Sequence, residues 1–126
     1  MLYWVESFDK VTNLPFEDDY RRWVKALDPA ELTAIRAELN RVFDSSEIET
    51  AGWIPGGDWE GTVYQTIYEK PAQRNPEIAA RIFGLMVFKV AMDRPDKWVT
   101  GRFELNGEAI RSRTYFRPGN PDILSD

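Results

Sequence analysis

Hydrophobic positions in this chain change period several times, and the changes mark the elements. Leu2–Phe8 is short and rich in strand formers, which predicts an N-terminal strand. Beyond Asn13-Leu14-Pro15, the residues Phe16, Tyr20, Trp23, Val24 and Leu27 recur at helical spacing. Acids at Glu17, Asp18 and Asp19 and bases at Arg21, Arg22 and Lys25 suit the two ends of a helix dipole. Asp28-Pro29-Ala30-Glu31 is a start signal for a second helix. Asp28 is placed as N-cap, Pro29 as first helical residue, and Glu31 as the returning arm of a capping box. The apolar stripe Leu32, Ile35, Leu39, Val42 and Phe43 carries that helix to about Phe43, and the two helices are expected to pack as a hairpin.

The periodicity fails after Asp44 and resumes beyond a Gly-Trp segment at residues 52–68. Thr62 and Gln65 have capping-box spacing, so a short helix over Thr62–Glu69, burying Val63, Ile67 and one tyrosine, is favoured over a strand there. Asn75-Pro76-Glu77 opens a longer helix, expected to reach Met92 and stop before Asp93-Arg94-Pro95. From Ile82 onward that helix is apolar almost all round, which makes it the central buried one, with Lys89 snorkelling to solvent.

Residues 97–117 read as a β-hairpin about Asn106-Gly107. A two-residue turn there sets Leu105 opposite Glu108, Phe103 opposite Ile110 and Val99 opposite Thr114. Val99, Phe103, Leu105, Ile110 and Phe116 then face the helices, while Trp98, Arg102, Arg111, Arg113 and Tyr115 face away. The expected fold is α+β: a small antiparallel sheet, from the N-terminal strand and the C-terminal hairpin, covered on one face by three main helices. Residues 1–117 form the single domain, and 118–126, rich in Pro and Gly, form a flexible C-terminal tail.

Composition narrows the chemistry. The 126 residues contain neither cysteine nor histidine, which removes disulfides, thiol and imidazole catalysis and zinc–thiolate sites. Carboxylates, Lys, Tyr or a hard cation held by oxygen are what remain for any reaction. The net charge is −5, and the excess of acid lies in the first 70 residues. An acidic whole argues against nucleic acid as partner. The start of the chain lacks a basic, apolar leader, and the apolar run Ile82–Met92 is too short to span a bilayer, so a cytoplasmic protein without membrane association is expected.

Two groups of residues are candidates for function. In the Gly-Trp segment, Trp53, Trp59 and Tyr64 could line a ligand pocket with Asp58 and Glu60 as polar selectors, or the aromatics could simply plug the core. Asp58 and Glu60 could alternatively serve a carboxylate-dependent enzyme, with magnesium as its metal. The glycines match no phosphate-binding fingerprint. The second group is the outer face of the hairpin: Trp98, Arg102, Arg111, Arg113 and Tyr115 suit a homodimer interface, since Trp, Tyr and Arg dominate interface energetics. The arginines alone would suit an anion or nucleic acid. No catalytic residue, resident cofactor or metal is assigned, and a non-enzymatic binding or adaptor protein of unknown ligand is the leading expectation.

Ala51-Gly-Trp-Ile-Pro-Gly-Gly-Asp-Trp-Glu-Gly-Thr-Val-Tyr-Gln65, Ala80-Arg-Ile-Phe-Gly-Leu-Met-Val-Phe-Lys89 and Met92-Asp-Arg-Pro-Asp-Lys-Trp98 together resemble a group of small bacterial proteins of unknown function, some encoded on mobile integron gene cassettes. The resemblance covers about residues 50–117. It implies a bacterial, cytoplasmic accessory protein that forms oligomers, and carries no catalytic residue with it.

Overall fold

The computed structural model describes residues 1–45, 48–50, 59–101, 104–105, 108–109 and 113–125. In chain order these hold β1 (Leu2–Trp4), α1 (Glu17–Val24), α2 (Pro29–Asp44), β2 (Ile48–Thr50), α3 (Gln65–Glu69), α4 (Pro76–Asp93), β3 (Trp98–Gly101), β4 (Glu104–Leu105), β5 (Glu108–Ala109) and β6 (Thr114–Phe116). A 3-10 turn follows at Pro121–Ile123. The class is α+β as expected, with a small sheet and three main helices, α1, α2 and α4.

The helix starts follow the capping chemistry. Glu31 Oε1 accepts from the Asp28 amide at 2.9 Å, the returning arm of the capping box. Asn75 Oδ1 accepts from the amides of Glu77 and Ile78 at 3.0 and 3.2 Å, and Pro76 takes the first helical position, where its missing N–H is no loss. Ile35, Leu39 and Phe43 of α2 are buried, as are Ile82, Phe83, Met86, Val87, Phe88, Val90 and Ala91 of α4. Helix α4 is thus the central element, and Lys89 reaches out of it to Asp93 at 3.1 Å. The first two helices do not form the expected hairpin as their main packing; each lays its apolar stripe on α4. Phe16, counted in the stripe of α1, sits before its first turn with φ 53° and is 74% exposed.

The main sheet has the order β1-β3-β6-β2. It is mixed rather than antiparallel: β1 runs parallel to β3, while β6 is antiparallel to both β3 and β2. Strand β2 falls where no periodicity was visible in the sequence. The ribbon β4–β5 pairs Leu105 with Glu108 about the expected turn, but forms a sheet of its own. The pairing of Phe103 with Ile110 lies outside the described residues.

In the main sheet Val99 pairs with Phe116 and Gly101 with Thr114, so the expected pairing of Val99 with Thr114 is off by two residues. The assignment of faces is reversed as well. Trp98 (0% exposed) and Tyr115 (1%) belong to the helix-side core, where Phe43 meets their rings edge-on at 4.8 and 5.7 Å. Val99 points the other way, into a second cluster with Tyr3 and Leu124, against which Met1, Val5 and Phe116 pack. The reason is physical. All four residues of β3 are buried, so both faces of the strand need apolar or compact side chains and the alternation loses its inside–outside meaning.

Candidate functional site

Trp59, Tyr64 and Phe83 form an aromatic corner where the turn before α3 meets α4. The Phe83 ring receives Trp59 at 5.4 Å and Tyr64 at 4.9 Å, both near-perpendicular, the favoured arrangement for quadrupolar rings. A short polar frame fixes the turn. Thr62 Oγ1 donates to the Trp59 carbonyl at 2.8 Å and accepts from the Tyr64 amide at 3.2 Å. Gln65 Oε1 accepts from the Gly61 amide at 3.1 Å, and Gly61 holds φ 76°, a conformation that disfavours any residue with a Cβ. Lys70 then ties the end of α3 to the start of α2 through Glu31, at 2.7 Å.

Tyr64 is the member of this corner with unspent chemistry. Its ring is buried, and its hydroxyl is enclosed with no hydrogen-bond partner among the described residues. Burial pushes its pKa up to about 12; the Glu38 carboxylate on α2 adds to the rise and Arg41 opposes it. Glu38 and Arg41 are themselves paired, with Arg41 Nε donating to both carboxylate oxygens at 3.1 and 3.0 Å. This bond holds the Glu38 carboxyl below its ordinary range. The phenol therefore stays protonated, and a donor, across the ordinary pH range.

Of the five residues expected to line a pocket, the structure brings Trp59 and Tyr64 together. Glu60 is exposed on the adjoining turn, and Trp53 and Asp58 lie outside the described residues. Trp59 is half-buried and packs on the core rather than lying on the surface. Val63, expected to be buried in the short helix, is exposed, and Tyr64 takes the inward position. Among the described residues, no group of three or more acids is placed to hold a metal ion.

The hairpin residues separate. Trp98 and Tyr115 are core and cannot meet a partner subunit, while Arg102 and Arg111 lie outside the described residues. Arg113 stacks its guanidinium over Trp4 and Phe88, at 5.2 and 5.7 Å.

The densest polar cluster was not foreseen. Arg94, its side chain 8% exposed, engages all five N–H groups: Asp96 through Nε at 2.8 Å and Nη2 at 3.0 Å, the Asn40 side chain and carbonyl through Nη1 at 2.8 and 3.2 Å, and Asp44 through Nη2 at 2.5 Å. Asp96 also accepts from the Trp98 indole at 3.1 Å and from Arg117 at 2.8 Å, and Arg117 covers the Trp98 ring at 4.5 Å. Partial burial alone would raise the Asp96 pKa, but the bonds from Arg94, Trp98 and Arg117 hold it well below the carboxylate range. With its donors spent internally, the cluster works as a clamp joining the ends of α2 and α4 to β3 and β6. Sequence spacing could not show it, because its members come from four elements.

Comparison with protein-family models, with curated proteins and with solved structures finds no match for this chain. Among the described residues no helix is long and apolar enough to cross a membrane.

Proposed function

We propose that the protein is a non-enzymatic binding module, an accessory protein whose small-molecule ligand meets the corner formed by Trp59, Tyr64 and Phe83. The Tyr64 hydroxyl supports this reading. An enclosed hydroxyl without a partner costs about 1–3 kcal/mol, and phenylalanine would fill the same space without that penalty. A ligand acceptor that receives the proton removes the penalty, so retaining tyrosine favours the bound state. The ligand class that fits is a flat apolar body carrying a carbonyl or similar acceptor. Access requires a small opening of the turn at Trp59, whose ring meets Phe83 edge-on at 5.4 Å.

The test is a titration with small aromatic amides, beginning with benzamide, followed by tryptophan fluorescence. Saturable quenching that weakens about tenfold in a folded Tyr64→Phe variant supports the reading. Equal binding by wild type and Tyr64→Phe, or no binding by any amide, overturns it.

A further inference from the structure

The helix-free side of the sheet is covered by the chain's own C-terminal tail. Tyr3, Val99 and Phe116 present an apolar floor, flanked by Met1 and Val5, and Leu124 is the residue from beyond the sheet that plugs it. Around this plug the grip is on main-chain atoms. Tyr3 Oη donates to the Ser125 carbonyl, and Lys97 Nζ donates to the carbonyls of Leu124 at 2.8 Å and Pro121 at 3.4 Å. One side-chain pocket plus bonds to peptide carbonyls is a seat for an extended segment.

The connection to this seat is thin. Arg117 is anchored on Asp96 and Trp98, and Leu124 is anchored in the pocket. Between them residues 119–123 are all exposed. Pro118, Gly119 and Pro121 lie in this link, and a Cβ added at Gly119 would meet nothing within 4 Å. Ile123, beside the plug, leaves 57% of its surface in water. A seat of this kind holds a tail with the same contacts whether it arrives from its own chain or from another. Exchange between identical chains therefore preserves every contact of the seat, and differs only at the hinge.

We infer that the Tyr3–Val99–Phe116 face is a docking groove that accepts the residue 118–125 tail of a second copy, giving a reciprocal, tail-exchanged dimer. Trp98 and Tyr115 remain in the core of each copy. The inference is independent of the ligand reading at Tyr64.

The probe is a synthetic peptide spanning residues 118–125, titrated into the full-length Leu124→Ala chain by calorimetry. Leu124 lies outside the main core, so this variant keeps the packing of α4 on the sheet. The peptide is expected to bind saturably to Leu124→Ala and at least about tenfold more weakly to wild type, whose groove is largely occupied by its own tail. A peptide carrying Leu124→Ala itself should not bind. Absence of binding to the variant, or equal binding of both peptides, overturns the inference. Should the variant not fold, light scattering on wild type refolded at millimolar concentration carries the test. A dimer fraction that rises with concentration supports exchange, and a strict monomer overturns it.

Discussion

The indole N–H of Trp98 donates to Asp96 Oδ2 at 3.1 Å, so the largest side chain of the core is oriented by an acid two residues before it. The same carboxylate takes Arg94 and Arg117, which makes Asp96 the joint between the polar clamp and the aromatic core.

Replacing Asp96 by Asn should therefore destabilise the fold by about 2–4 kcal/mol, because Arg94 is left buried with its main counter-charge removed. Asp44→Asn should cost less than about 1 kcal/mol, since Asp44 is largely exposed. Urea denaturation of both variants gives the comparison, and equal losses would contradict the ranking.

Acid sensitivity follows from the same residue. The folded pKa of Asp96 is depressed, so its contribution is fully present above the unfolded value of about 3.9 and is lost as pH falls below it toward the folded value. Wild type should lose stability steeply below about pH 4, and Asp96→Asn, with nothing to protonate there, should show a shallower acid limb. Thermal melts across the acid range read the difference.

At the start of α4, Asn75→Ala removes the acceptor for two amides and should cost about 1 kcal/mol, with Asn75→Asp recovering most of it. Denaturation midpoints of the pair separate a capping role from mere solvent exposure.

Tyrosinate absorbance offers a check on the aromatic corner. Tyr64 should ionise near pH 12, later than an ordinary phenol at about 10. Because its folded pKa is raised, its contribution is fully present below about pH 10 and is lost as pH rises toward 12. The late step should vanish in Tyr64→Phe.

Local chemistry was legible in the sequence wherever one element carries its own signal. The Asp28 and Asn75 starts, the apolar length of α4 and the pairing of Leu105 with Glu108 all read correctly, since each depends on residues within a few positions. The orientation of the sheet was not legible. Trp98 and Val99 are adjacent and both apolar, and only the helices on one side and Leu124 on the other decide which faces where. Strand β2 was missed for a related reason: three residues are too few to show a period. In the aromatic corner, sequence placed Trp59 and Tyr64 in one short segment but could not supply Phe83 from α4 or the charges of Glu38 and Arg41 from α2.

The central claim is that the Tyr64 hydroxyl, which has no partner among the described residues, is kept for an acceptor on a ligand. Chemical denaturation of ligand-free Tyr64→Phe tests it most directly. Removing an enclosed, unpaired hydroxyl should raise the unfolding free energy by about 1 kcal/mol. A loss of about 1 kcal/mol, as expected for a hydroxyl already satisfied within the fold, would contradict it.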